Sequence, residues 1–462
     1  MKNLTKKNLL LFCWVSILFS INSIYINTIS LQEINIFSSF SKKNIFLLLN
    51  NIRFYSPFLI LPTLIVLFFL TRIKKTNIIV SLFLFYFAWQ LFVFFVTNYI
   101  AESISSIDKE LLFDNLHLIF CSISVPLIVA IGQNLNLNKF NNKILFISLF
   151  FVGLIAIYFA FNMIVESMSD DSKFIYWSET LNPSKNTFGQ PNPRVTGVSR
   201  LLLILYFLVF CVLMNNHKKI IPYLILITLF WLLYKMQARG SLLGIPLLFF
   251  LFFIFNSLAF KKKLLIFFTL IVVPIFIFEA YYSIKQKNMN SNVSDLAKKN
   301  SNANRVITNY SSSGRLSIWG NVLDIIKDKK IILGFGPQAD RFLLSEFLNQ
   351  YDKLKIHRQE NGRIMIYENN TSNALLYSYL CGGLLGFLLL VAIYFFAIKA
   401  VIKNIFITKI FQQKNTIQTF STILLIYLGL RSVFENSFSL FSVDYIFFIL
   451  AYTMAENKKE LD

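Results

Sequence analysis

The run LLYSYLCGGLLGFLLLVAIYFF, residues 375–396, decides how this chain is read. It carries no charged side chain, and at ~1.5 Å per helical residue it is long enough to cross a hydrocarbon core of ~30 Å. The run is continuous rather than alternating, which selects a helix over a barrel strand. Comparable runs recur at about 56–71, 77–97, 112–132 and 144–165, then at about 199–214, 220–236, 241–259 and 264–283, and lastly at about 417–434 and 437–454. Another begins at Leu9 behind Lys2, Lys6 and Lys7; no Ala-x-Ala-like cleavage site follows it, so it reads as a span that stays. The expectation is an all-α polytopic membrane protein of about twelve transmembrane helices.

Composition agrees. The 462 residues are 56% hydrophobic and 15% charged, with a mean hydropathy of +0.61, whereas soluble domains carry about a quarter charged residues. The formal net charge of +21 does not point to nucleic acid, because many Lys and Arg stand between apolar runs, where they signal topology. Cys13, Cys121, Cys211 and Cys381 lie inside apolar runs without paired spacing, which suggests neither a disulfide framework nor a zinc site. His117, His217 and His357 are the only histidines, so no metal site is expected, and no cofactor is indicated.

The positive-inside rule orients the chain. With the N-terminus in the cytoplasm, Arg72 to Lys75, Lys139 with Lys143, Lys218-Lys219, Lys261 to Lys263, Lys399, Lys403, Lys409 and Lys414 share one side with the tail lysines Lys458 and Lys459. The first outer loop dissents with Lys42, Lys43 and Arg53. Both termini are therefore expected in the cytoplasm. The organisation read from this is helices one to nine over 1–284 with a smaller outer loop at about 166–198, a large extracytoplasmic loop over 285–374, and helices ten to twelve with a cytoplasmic tail over 375–462.

The large loop opens with an Asn/Ser/Lys-rich tract. Ser311 to Arg315 then reads as a helix start, with Leu316, Trp319, Val322, Leu323 and Ile326 at helical spacing, the apolar side of a helix on the membrane surface or the bundle. Gly334-Phe335-Gly336-Pro337 is expected to end this segment as a tight turn.

Arg194, Arg200, Arg239, Arg315 and Arg431 all fall in outer loops or at outer span ends on this topology. The ordinary alternative for each is snorkelling toward headgroups. Positive-inside sorting does not fill the outer side with arginine, however, and a guanidinium fork suits phosphate oxygens. Among the carboxylates, Glu435 stands four residues after Arg431 and is expected to be its ion-pair partner. Asp444, inside the last run, is expected to make a polar helix–helix contact.

Four separated features together resemble the O-antigen ligase and O-antigen polymerase superfamily of bacterial envelope glycan assembly. They are Arg194-Val-Thr-Gly197; Arg239-Gly-Ser-Leu-Leu243, matching an Arg-x-x-x-Leu pattern; Gly314-Arg315 with Trp319 and then Gly334-Phe-Gly336; and Ser372-Asn373 followed after nine residues by Gly383-Leu-Leu-Gly386. The resemblance covers about residues 190–390. The histidine of the ligase His-Asn pattern falls on Ser372, which cannot serve as a base near neutral pH; Glu368 or His357 could substitute. This departure shifts the expectation from ligase toward polymerase.

The resemblance implies an integral-membrane glycosyltransferase of the bacterial inner membrane. It would act on the periplasmic face, moving an undecaprenyl-diphosphate-linked oligosaccharide onto an acceptor glycan or, in a ligase, onto lipid A–core, with a chain-length regulator protein as a further partner. Arg194, Arg239 and Arg315 would contact the diphosphate, with Asn373 positioning sugar or acceptor. Arg200, Arg431 and Trp319 would contribute to substrate binding, and Gly383 and Gly386 would allow close helix packing near the lipid. Competing expectations are a lipid-linked glycan flippase, a transferase using polyprenyl-monophosphate sugars, and a catalytically dead homologue. A flippase usually shows internal repeats, and none is found. The monophosphate enzymes carry an acidic motif in the first outer loop, where this chain has only Glu33.

Overall fold

A computed structural model describes residues 2–20, 45–71, 76–97, 108–134, 138–169, 195–215, 220–236, 239–289, 315–329, 331–340, 343–344, 356–358, 364–366, 371–413, 415–435, 438 and 442–456. These residues form two compact units. One comprises Met1–Ser148, Gly314–Ala400 and Leu428–Asp462, the other Leu149–Ser313 and Val401–Tyr427.

Each apolar run of the sequence falls on a helix. In chain order these are α1 (Lys2–Phe19), α2 (Ile45–Leu70), α3 (Ile78–Thr97), α4 (Asp108–Asn134), α5 (Asn138–Ser169), α6 (Val195–Asn215), α7 (Ile220–Met236), α8 (Arg239–Leu242), α9 (Gly244–Phe255), α10 (Phe260–Phe267), and α11 (Val273–Met289). There follow α12 (Arg315–Lys329), a hairpin of β1 (Ile356–Arg358) and β2 (Ile364–Ile366), α13 (Ala374–Ile402), α14 (Thr416–Ser432) and α15 (Val443–Glu456). Helices dominate because a chain in lipid must satisfy its backbone groups within each segment. The fold is all-α as expected, with one short hairpin beside the helices. The hairpin is antiparallel, with His357 opposite Met365, and it sits in the large polar loop, where hydration permits an open edge.

Among the described residues six helical stretches are long and apolar enough to cross a membrane: Ile78–Thr97, Leu116–Asn134, Phe140–Tyr158, Gly197–Asn215, Phe260–Tyr281 and Ala374–Ile407. Tyr55–Leu70, Ile220–Met236 and Gly240–Phe255 are shorter apolar helices. The protein is a multi-pass membrane protein.

In the first unit the core is aromatic, and Tyr445 and Trp14 find partners for their polar tips. Tyr445 on α15 packs edge-on against Phe83 and Phe87 of α3, at 4.9 Å from each ring, while its hydroxyl donates to the Ser122 carbonyl at 2.8 Å. Trp14 donates its indole N–H to Ser148 Oγ at 2.9 Å. In the second unit α6 is the centre. Phe207 meets Tyr427 edge-on, and Gly244 lies so close that a Cβ there would stand 2.4 Å from the Leu203 side chain.

α13 is not one continuous helix. At Gly383 the backbone turns to φ 65°, ψ −160°, a conformation open only to glycine at low cost. The segment 331–336 fills the break. Phe335 N–H donates to the Leu380 carbonyl at 3.0 Å, Gly336 N–H to the Cys381 carbonyl at 2.9 Å, and Leu384 N–H to the Ile332 carbonyl at 3.0 Å. Trp89 of α3 donates its indole N–H to the Gly382 carbonyl at 2.7 Å. The break therefore leaves these backbone groups satisfied, as a non-helical backbone must be where lipid is near. This extends one expectation and corrects another. The tight turn expected at Gly334–Pro337 is present, with the Ala339 N–H bonded to the Gly336 carbonyl, but it also plugs the break, and Gly383 serves a close backbone crossing rather than helix–helix packing. Gly386 is the tight-packing position, where a Cβ would lie 3.0 Å from the Ser378 carbonyl.

Above the break, residues 374–382 pack into the large loop's own core. Val322 and Ile325 of α12 join Ile331, Ala339, Leu343, Leu344, Tyr377, Leu380 and Cys381, all buried. Beyond the break, Leu384, Leu388, Val391 and Phe395 are exposed, the pattern of a lipid-facing span. α12 begins where the sequence places it, but its buried stripe is rotated from the expected one. Val322 and Ile325 are buried, whereas Leu316 and Leu323 are 64% and 56% exposed.

Candidate active site

The first unit brings together three of the expected site residues, Arg315, Trp319 and Asn373. Arg315 opens α12, and its Nη2 meets Glu435 Oε1 at 2.9 Å. One turn on, Trp319 donates its indole N–H to the Thr371 carbonyl at 3.1 Å and stacks on Phe434 with ring centroids 6.2 Å apart. Ser372 turns through the left-handed region at φ 45°, a conformation that costs a non-glycine residue about 1–2 kcal/mol. Asn373 then does two structural tasks. Its Oδ1 accepts from Leu375 and Leu376 N–H at 2.9 and 3.0 Å, capping α13, and its Nδ2 donates to the Val433 carbonyl at 3.0 Å. An Asn immediately before an apolar run is the signature of a helix cap.

Thus the start of α12, the Thr371 to Asn373 turn and the Val433 to Glu435 turn are tied together by four contacts. Two residues that sequence reasoning passed over complete the tie. Asp340, 1% exposed, accepts the Thr371 N–H at 3.2 Å, and Thr371 Oγ1 donates to the Asn373 carbonyl at 3.2 Å. An acid three residues after Pro337 carries no motif; only its burial reveals it.

The pairing of Arg431 with Glu435 is overturned. Arg431 Nε meets Asp444 Oδ2 at 3.1 Å, with the Asp444 side chain fully buried, and Glu435 turns to Arg315. The reason is local. α14 ends at Ser432, where Val433 and Phe434 N–H bond back to the Leu430 and Arg431 carbonyls as a turn. Glu435 is therefore off the helix, and the i, i+4 geometry expected of it no longer applies. Asp444 makes the helix–helix contact expected of it, as an ion pair between α14 and α15.

In the second unit the Ser199 and Ser241 hydroxyls meet at 3.0 Å and join α6 to α8. That contact brings together the backbone positions of Arg200, next to Ser199, and Arg239, the first residue of α8. Tyr427 donates its hydroxyl to the Gly240 carbonyl at 3.4 Å. Lys235, which the motif search did not pick out, is 1% exposed with its Nζ 5.7 Å from the Trp231 ring centroid. A buried cation four residues before Arg239 adds to the positive charge of this segment. A cavity of about 200 Å³ in the same unit, among Phe210, Met214, Asn256, Phe411, Gln413 and Thr419, is lined by none of the candidate arginines.

Arg194, Glu368 and the side chains of Arg239 and His357 lie outside the described residues. Residues 224–391 match the family model of O-antigen ligases. The match includes Arg239, Arg315, Trp319, Asn373, Gly383 and Gly386, and leaves out Arg194, Arg200 and Arg431. The chain finds no match among curated proteins or solved structures.

Proposed function

We propose, from the match of residues 224–391 to the O-antigen ligase family model, that this chain polymerises undecaprenyl-diphosphate-linked glycan repeat units on the periplasmic face of the bacterial inner membrane. In this reading the twelve apolar runs cross the bilayer, both termini are cytoplasmic, and the 285–374 loop is periplasmic. The acceptor is a second lipid-linked repeat unit.

The reaction asks little of the protein beyond charge. Attack of an acceptor hydroxyl on the anomeric carbon expels a diphosphate, and negative charge grows on the departing oxygen. Groups already aimed at that charge stabilise the transition state without reorganising. Arg315 suits this task. Its guanidinium is one-third exposed and fixed by Glu435 at 2.9 Å, and its helix is anchored through Trp319 and the loop core. Arg239 and Arg200, with Lys235 close in sequence, supply further positive charge in the second unit. Arg431, 10% exposed and engaged with Asp444, acts first by holding α14 to α15.

The observation that carries the proposal is the convergence of Arg315, Trp319 and Asn373 from two separate sequence motifs, both inside the family match, with Glu435 beside them. Asn373 contributes by fixing the start of α13 and the 433–435 turn; its amide is occupied by those bonds.

The family description favours a second reading, ligation of glycan to lipid A–core. Ser372 in place of the ligase histidine weighs against it. Envelope glycan from a deletion strain separates the readings on one gel. A polymerase deletion leaves a single repeat on core. A ligase deletion leaves core bare while polymer persists on the carrier lipid. Repeat units trapped on the inner face would indicate a flippase.

A further inference from the structure

We infer that Glu435 is the general base of this site, in place of the histidine that Ser372 lacks; the inference rests on the glycosyl-transfer reading above. A hydroxyl attacking an anomeric carbon must lose a proton, and the group that takes it must be basic, accessible and within reach of the acceptor hydroxyl in the site. Ser372 is not basic. Of the described carboxylates near the site, Asp340 is 1% exposed and accepts the Thr371 N–H, and Asp444 is fully buried against Arg431. Asp324 and Asp328 are exposed but lie further along α12, about 14–20 Å from Arg315 at ~1.5 Å per residue. Glu435 alone among these is both accessible, at 40%, and in contact with Arg315.

Glu435 follows two residues that are tied to the Thr371–Asn373 turn and to α12. Asn373, the residue after Ser372, bonds to the Val433 carbonyl, and Trp319 bonds to Thr371 while stacking on Phe434. Glu435 is thus held by the same turn that holds the Ser372-Asn373 pair.

The ion pair with Arg315 makes this base responsive to donor. Without substrate, Glu435 neutralises Arg315. When a diphosphate arrives, its oxygens compete for the guanidinium, and a new negative charge stands beside the carboxylate. The carboxylate is then released from the guanidinium and can accept a proton. The step then balances. Glu435 takes the proton of the acceptor hydroxyl, the hydroxyl oxygen bonds to the anomeric carbon, and the bond from that carbon to the diphosphate oxygen breaks with its electron pair on the diphosphate. The products are the lengthened glycan, undecaprenyl diphosphate and protonated Glu435, which returns its proton to water.

The test uses the purified full chain in lipid nanodiscs, with the undecaprenyl-diphosphate-linked repeat unit extracted from the deletion strain. Glu435→Gln should lower polymer formation about 100-fold or more while donor binding is retained. Glu435→Asp should recover part of the rate. Polymer formation by Glu435→Gln within about twofold of wild type, with Arg315→Ala inactive, would overturn the base and leave the transferase reading standing. Loss of donor binding in step with rate would also overturn it, because Glu435 would then only hold Arg315. An unchanged glycan profile in the deletion strain would instead remove the transferase reading.

Discussion

Arg431 and Asp444 form the most committed polar contact among the candidate residues. Asp444 is fully buried and Arg431 is 10% exposed, so removing one partner leaves the other charged in a low-dielectric setting. Asp444→Asn is expected to destabilise the protein by about 3–5 kcal/mol, seen as a lower thermal midpoint in detergent. Arg315 differs, since its pair with Glu435 is part-exposed and Arg315→Ala should leave the midpoint nearly unchanged while costing function. Residue types were legible in the sequence, and partners were not. Spacing assigned Glu435 to Arg431 because an i, i+4 pair presumes a helix, and the helix stops at Ser432. Asn373 was likewise read for its amide, although its place before an apolar run marks a cap.

At the scale of elements, the broken α13 with its inserted loop fixes where the site stands. A Cβ at Gly383 would lie 2.1 Å from the Ile332 carbonyl oxygen, and one at Gly334 would lie 2.4 Å from the Gly383 nitrogen. Both glycines have positive φ, 65° and 88°. Gly383→Ala and Gly334→Ala should each cost more than the ~1–2 kcal/mol of the left-handed backbone alone, because a carbonyl or a backbone nitrogen must also move. Gly197→Ala, with nothing within 4 Å of its Cβ, should stay within about 0.5 kcal/mol of wild type. Thermal unfolding of the three variants side by side checks this. The glycines were visible as motifs, yet their mutual fit was hidden, because a residue pattern does not say which distant backbone a glycine admits. The rotation of α12 escaped for a related reason. Leu316 and Leu323 share a helical face with each other, but the stripe that packs is the one meeting Tyr377 and Leu380.

For the whole molecule, hydropathy was the reliable guide: every apolar run is helical, and the long polar segment contains its own small core instead of forming a bare linker. Sidedness rests on the lysine distribution, with the first outer loop dissenting. Cysteine placed at exposed Asp328 or Lys327 should react with an impermeant maleimide from outside intact spheroplasts, whereas cysteine at Lys399 or Lys409 should react only after permeabilisation. The background cysteines Cys13, Cys121, Cys211 and Cys381 are all buried, which keeps the assay clean.

In the proposed reading Arg315 neutralises the departing diphosphate. Electrophoresis of envelope glycan from a deletion strain carrying Arg315→Ala tests it directly, with membrane abundance confirmed by immunoblot. Long chains should fall about 100-fold or more, the loss typical when one preorganised charge-stabilising donor is removed, while a single repeat remains on core. A wild-type ladder from an abundant Arg315→Ala protein would contradict it.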